Sequence, residues 1–337
     1  MAELEPVTEQ NQRIGSLKDG RALAKFLIVA GLCAMLVWLS SHRVLPRMTA
    51  KVAFKQLLNG LTLGFMYVII ASGLSLIFGL MEVINFAHGA LYMLGAYFGL
   101  TLFRATGDFW LSLLAAPVIV GAVGMGLEYT TFRPLYGRSP LYHILLTFGL
   151  VLVIGDATEM VWGKAYHLFP RPKGFEGMVG FLGITYPSYR LFVLAVGVAI
   201  SVFFWFMLKR TGFGLIIRAG TYNREITSAF GIDISRYFTV VFGLGVAIAG
   251  AAGVLMAPIL SVHPHMGDGI IITAFIVVVV GGLGSLSGAA LAGILIGILE
   301  SFSVILFPAF TGAMMYVVMV IVLLFRPQGL LGTEEIR

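Results

Sequence analysis

The sequence predicts an all-α, polytopic transmembrane helical bundle of about 8–10 spans, some interrupted or re-entrant. Three observations predict it. The chain of 337 residues is 59% hydrophobic and 11% charged, with mean hydropathy +0.97, so lipid must serve as solvent for much of its surface. Apolar runs close to the length of a bilayer crossing recur along it, at 54–80, 86–103, 109–129, 141–162, 189–208, 236–260, 270–299 and 301–325. Glycine is abundant, 42 residues, and the pairs Gly60/Gly64, Gly95/Gly99, Gly284/Gly288 and Gly293/Gly297 have the four-residue spacing that lets helix backbones approach.

In chain order, residues 1–24 are polar and mixed in charge, as a mobile cytoplasmic tail would be. An apolar run from Phe26 to Leu39 follows Lys18, Arg21 and Lys25. No small-x-small cleavage site comes after it, so residues 25–53 read as an extra N-terminal span and linker rather than a removed signal. The single Cys33 lies in that run and excludes an internal disulfide framework or a multi-cysteine metal site. Residues 54–332 form the membrane domain. Its 54–80 and 270–299 runs are long. Either run could be tilted or broken, and GGLGSLSG at Gly281–Gly288 favours a break in the second.

Loops set the orientation. Segment 209–236 carries Lys209, Arg210, Arg218, Arg224 and Arg236 against Glu225 and Asp233, which places it in the cytoplasm, and loop 130–140 with Arg133 and Arg138 agrees. Loop 261–269 has no Lys or Arg and falls outside. Counting spans also puts 163–188 outside despite Lys164, Arg171 and Lys173, a conflict within the charge rule. The net charge of +6 is accounted for by such flanking residues; no basic stripe with interleaved aromatics suggests nucleic acid.

The stretch LSLIFGLMEVINFAHGALYMLGAY at Leu74–Tyr97 joins two apolar segments through Glu82, Asn85 and His88. Polar side chains at membrane depth are costly and mark protein-lined or water-filled places. Asn85 and His88 can line a substrate path or cap helix ends at an interfacial turn, and Gly89 beside them admits a second backbone or a ligand. Glu82 reads as a water-facing end of span, and Glu300 as a boundary charge between apolar runs. Asp156 and Glu159 share a helix face, turned inward or marking the outer end of their span, with Trp162 and Lys164 as interface anchors.

Segment Gly214–Ile232 reads as a short amphipathic helix with Leu215, Ala219, Tyr222, Ile226, Ala229 and Phe230 as its apolar stripe. Arg218, Arg224 and Glu225 lie off the stripe, and Gly231 is a C-terminal stop. Such a helix either docks in a groove of a soluble partner or rests on anionic membrane lipid. His263 and His265 could form a zinc pair but lack further ligands, so they read as water-exposed loop residues; no metal or other cofactor is implied. No GxSxG elbow, HExxH helix or GxxxxGK[ST] loop occurs, so the chain is read as a transport subunit without its own catalytic site.

These residues resemble the LivH-type permeases of bacterial branched-chain amino acid ABC transporters. The resemblance runs through NGLTLG (Asn59–Gly64), INFAHGALYMLGAY (Ile84–Tyr97), RPLYGRSP (Arg133–Pro140), RAGTYNREITSAFGI (Arg218–Ile232), AFIVVVVGGLGSLSGA (Ala274–Ala289) and RPQGLLG (Arg326–Gly332), in family order. It implies a permease of an ATP-driven importer in the inner membrane, working by alternating access. Its implied partners are a second homologous permease, two ATPase subunits and a periplasmic substrate-binding protein. It also implies that the 214–232 loop is the coupling helix on the ATPase. The sequence departs from the family pattern in its first 50 residues, at Ala90 where relatives commonly carry Glu, and in the His263/His265 loop. Related permeases serve urea, short amides and other small amino acids, and an autonomous carrier or channel would share the membrane composition but not the coupling loop.

With no phosphate-binding loop, the purified chain alone is expected neither to bind nor to hydrolyse ATP. Equilibrium binding of labelled ATP and a phosphate-release assay check this, and turnover by the isolated chain would contradict it.

Overall fold

The computed structural model describes residues 49–332, so the expectations for the tail, for Cys33 and for most of the N-terminal span lie outside the described residues. The described chain folds into α1 (Ala50–Met81), α2 (Ala87–Thr106), α3 (Phe109–Leu127), α4 (Pro140–Trp162), a hairpin of β1 (Met178–Phe181) and β2 (Ile184–Pro187), and α5 (Ser188–Arg210). Then come α6 (Gly212–Tyr222), α7 (Arg224–Ala229), α8 (Ile234–Leu260), α9 (Met266–Gly281), α10 (Leu286–Leu306) and α11 (Met314–Phe325). Among the described residues seven helical stretches are long and apolar enough to cross a membrane: α1, α3, α4, α5, α8, α10 and Pro308–Phe325. The 20-residue α2 and the 16-residue α9 complete the bundle.

Burial divides the helices into layers. The most apolar stretches of α1 and α8 are 78% and 72% buried and form the centre, whereas those of α4 and α5 are 17% and 22% buried and form the outside. The expected run 54–80 is one unbroken helix of 32 residues, about 48 Å long at 1.5 Å per residue. The run 270–299 is broken as expected: α9 stops at Gly281, and Gly282 and Gly284 take positive φ (108° and 76°) before Ser285 caps α10. The C-terminal RPQGLLG explains how that break is tolerated. Leu330 and Leu331 donate their N–H groups to the Val280 and Gly281 carbonyls at 2.8 and 3.0 Å, satisfying acceptors that the end of α9 would leave bare.

Two ends can be told apart. At one, Phe54 packs on Phe181, Asn59 accepts from Tyr186 and Arg190 at 2.8 and 2.6 Å, Trp162 donates to Thr101, and His167 pairs with Val262. At the other, Tyr136 packs on Phe238, and Gly220 lies against Leu80 and Ile234. Loop 163–187 therefore shares the end that holds 261–265. Among the described residues the basic side chains are nearly balanced, seven at the first end (Lys51, Lys55, Arg104, Lys164, Arg171, Lys173 and Arg190) and eight at the second (Arg133, Arg138, Lys209, Arg210, Arg218, Arg224, Arg236 and Arg326); that is the origin of the charge conflict.

Glu300 corrects the sequence reading. It lies inside α10, partly buried, and accepts a 2.6 Å hydrogen bond from Tyr67 on α1, so it is an interhelical partner and no boundary. The 301–325 run is instead interrupted at Pro308–Ala313. Glu82 is exposed at the end of α1, as expected.

The glycine pairs set the closest packing. A Cβ on Gly297 would lie 2.3 Å from the Gly64 nitrogen, and one on Gly64 2.9 Å from the Ile294 Cα, so α1 and α10 touch backbone to backbone. Gly297→Ala should therefore lower the thermal midpoint, with a loss of about 1–3 kcal/mol from forced separation. Gly149→Ala on α4, where nothing lies within 4 Å, should not. Melting curves of the two purified variants against wild type check the pair; equal midpoints would contradict the packing argument.

Candidate functional site

After Met81 the backbone leaves the helix. Glu82 adopts a left-handed conformation (φ 55°) and residues 82–86 run back along the bundle before α2 starts at Ala87. The His88 Nε2 lies 3.1 Å from the Ile70 carbonyl oxygen, and Ile70 is 11 residues from the end of α1. At 1.5 Å per residue, α2 therefore begins about 16 Å inside that end. Non-helical backbone at such depth survives only where protein covers it. Here Val83 and Asn85 are fully buried, Thr147 on α4 donates to the Ile84 carbonyl at 3.4 Å, and Phe86 stacks on Phe148 and Phe275 at 4.5 and 4.7 Å.

Of the two readings of Asn85 and His88, helix capping is not what the side chains do. Phe86 occupies the cap position of α2 and makes no side-chain cap bond, and both polar atoms of the Asn85 amide lack a partner among the described residues. An unpaired buried amide costs about 1–3 kcal/mol. His88 bonds a mid-helix carbonyl; since a carbonyl only accepts, Nε2 carries the proton, and Nδ1 has no partner among the described residues.

Gly89 admits a backbone. A Cβ there would lie 2.4 Å from the Gly267 carbonyl oxygen, and a Cβ on Gly267 2.4 Å from that of Gly89. This contact joins the starts of α2 and α9, which run from it towards opposite ends of the bundle. Above it opens a cavity of about 190 Å³ lined by Ala90 and Met93 of α2, Val151, Leu152, Gly155, Asp156 and Glu159 of α4, and Pro264, His265, Gly267 and Asp268. The N-terminus of α9 lies at its floor. Asn85 and His88 do not line this cavity, so the structure brings together a buried polar pair and, beyond Gly89, an acidic recess. Of Asp156 and Glu159, Asp156 is exposed and only Glu159 shows signs of both readings made from sequence. Both line the recess, and Glu159 pairs with Lys164 at 3.2 Å near the outer end of α4.

The two loop histidines face different partners. His263 stacks on Tyr166 at 4.5 Å, and partial burial pulls its imidazole pKa below the usual value, His265 acting in the same sense. His265 lies 3.2 Å from Asp268 and 3.6 Å from Glu159.

Segment 212–232 departs from the single predicted helix. Asn223 takes an extended conformation (φ −157°), ends α6 and caps α7 by accepting from the Ile226 N–H at 2.9 Å. Gly231 is the stop expected, at φ 80°. The face held against the bundle is Ile217 and Gly220, with Thr227 also buried, and Arg218 donates to the Leu208 carbonyl. The stripe read from sequence points away: Leu215 is 61% exposed, Tyr222 92%, Ile226 56% and Phe230 80%, and Glu225 is exposed beside them. Arg224 opens α7.

Sequence reasoning missed Glu128. It is fully buried at the end of α3, in a widened turn over Glu128–Phe132, and its carboxylate accepts from Tyr136 at 2.6 Å and from Thr239 on α8. It thus ties the end of α3 to the helix that follows segment 212–232. Nothing in local sequence marks it, because Thr239 lies 111 residues away.

Comparison with known proteins shows the family. Residues 56–323 match the family model described as branched-chain amino acid transport system / permease component. The chain is 31% identical over 298 residues to the high-affinity branched-chain amino acid transport system permease protein BraD of Pseudomonas aeruginosa, covering 84% of this chain and 96% of that one. It is 28% identical over 302 residues to the permease protein LivH of Escherichia coli, with the same coverage, and 28% identical over 294 residues to LivM of Escherichia coli, covering 80% and 68%. The family match spans most of the chain and a relative is 31% identical over nearly its whole length, so the chain belongs to the branched-chain amino acid transport system permease family.

Proposed function

We propose that this chain is the transmembrane permease subunit of an ATP-driven importer of branched-chain or related small amino acids in a bacterial inner membrane. It takes substrate from a periplasmic binding protein, pairs with a second homologous permease, and rests on two ATPase subunits. The existence of relatives named both LivH and LivM supports the pairing. In this reading the end that holds segment 212–232 is cytoplasmic and the acidic recess opens to the periplasm.

The observation that carries the ATP-driven reading is the outward stripe of Leu215, Tyr222, Ile226 and Phe230. A cluster of large exposed apolar side chains in a polar, basic loop is unusual without something to cover it. An ATPase groove supplies that cover. Closure of the ATPase pair then moves α6 and α7, and α8, tied to α3 through Glu128, passes the motion into the bundle.

The substrate route passes the junction of α2 and α9. A zwitterion presents a carboxylate to the N-terminus of α9 and an ammonium to Asp156, Glu159 and Asp268. Below it, Asn85 and His88 offer donors and acceptors in an apolar surround, and Gly89 fixes the separation of the two helices. The permease holds substrate weakly, and selectivity rests with the binding protein.

Two predictions follow from these arguments. Replacing Tyr222 and Phe230 together with Asp should weaken ATPase-subunit binding at least tenfold, since each buried aromatic contributes about 1.5–3 kcal/mol. Membrane insertion should be unchanged. Co-purification and uptake in reconstituted vesicles check it, and full uptake with normal ATPase stimulation would contradict docking. Asn85→Leu, which keeps the branched heavy-atom skeleton and removes an unpartnered amide, should abolish most transport while leaving the thermal midpoint equal or higher. A lower midpoint with unchanged uptake per folded complex would assign Asn85 a structural role instead.

A further inference from the structure

A larger cavity, about 490 Å³, opens in the other half of the bundle, at the end that holds Met81 and Arg210. Its inner wall is α1 from Val68 to Gly79, about 16 Å of helix laid along the spanning direction. The walls are mainly apolar, with Trp205 of α5 half-exposed at the side. Lys209 and Arg218 stand at the mouth. Lys209 is exposed and makes no ion pair among the described residues, while the bond from Arg218 to the Leu208 carbonyl keeps its guanidinium at the rim. About one turn from Gly79 the Ser75 side chain is fully buried within this wall, and its hydroxyl has no partner among the described residues.

These features describe the inverse of an amphiphile. A long apolar slot suits a hydrocarbon chain, and two cations at the lip suit a phosphate. A free anion would use the lip and leave the slot unexplained, and a neutral lipid would leave the cations unexplained. We infer that this cavity holds one acyl chain of an acidic phospholipid, with its headgroup phosphate against Lys209 and Arg218. The site does not depend on the docking reading of segment 212–232. It touches that segment, however, because Ile217, Arg218 and Tyr222 of α6 form one wall. A bound lipid would brace α6 against α1 and α5.

The test uses the full chain in phosphatidylcholine nanodiscs doped with a phosphatidylglycerol probe carrying a photoactivatable acyl chain, or with its phosphatidylcholine counterpart. Label is mapped by peptide mass spectrometry. The acidic probe should label peptides containing Leu76 and Trp205 in excess over the neutral one, and Lys209→Gln should cut that excess about fivefold, the factor expected for one cation at a membrane surface. Ser75→Leu should block labelling of these peptides by both probes; should that variant not fold, Lys209→Gln alone decides. Equal labelling by both probes, unaffected by Lys209→Gln, would mean ordinary boundary lipid and overturn the site. A disulfide between Cys33 and a Ser201→Cys variant, forming in high yield in the full chain, would show that the N-terminal segment fills the slot, and would also overturn it.

Discussion

One constraint organises the bundle: backbone that is not helical cannot face lipid, and residues 82–86 are not helical about 16 Å inside one end of α1. Everything around them serves to cover that turn. Phe86 is held between Phe148 and Phe275, Thr147 bonds the Ile84 carbonyl, and His88 reaches into α1 to bond Ile70. Room for the imidazole comes from Gly73, where a Cβ would sit 3.1 Å from the ring and 2.5 Å from the Gly245 carbonyl oxygen. The most buried helices, α1 and α8, are the ones that cross beside this turn.

The second break, at Gly282–Ser285, lies beside Gly79 close to the end of α1, and what it must satisfy is the set of carbonyls bared where α9 stops. There the chain's own C-terminal residues supply the missing donors, and Gly332 packs on Gly282 with no space for a side chain. The two breaks give the bundle two short helices that meet at Gly89 and Gly267, head regions together and running apart. The glycine seam between α1 and α10 is different in kind: from Gly60 to Val68 it joins two long helices backbone to backbone over about two turns.

Much of this was legible in the sequence, for identifiable reasons. Hydropathy located the spans because burial in lipid and burial in protein favour the same residues. GGLGSLSG announced the α9–α10 break because glycine takes the φ values of 108° and 76° found there without the steric cost other residues meet, and Gly231 was legible in the same way. What failed depended on partners distant in sequence. Glu300 looked like a boundary charge because Tyr67, its partner, lies 233 residues away. Glu128 attracted no notice for the same reason. The single helix drawn through 214–232 followed a true apolar periodicity, but Asn223 competes with the helix by capping the next one, and periodicity does not register a cap. Asn85 and His88 were found by residue type alone; that they sit at depth rather than at an interface follows from where α2 starts, which composition does not determine.

The central claim is that the turn at Asn85 lies on a route opened to one side at a time. The most direct measurement is thiol labelling of Asn85→Cys in a Cys33→Ser background, with a membrane-impermeant reagent applied separately from each side of the assembled transporter, with and without a non-hydrolysable ATP analogue. The account predicts that the cysteine is protected from lipid-soluble reagents and that the side from which it reacts changes with nucleotide. Reaction from the same side in every state, or ready reaction with a lipid-soluble reagent, would contradict it.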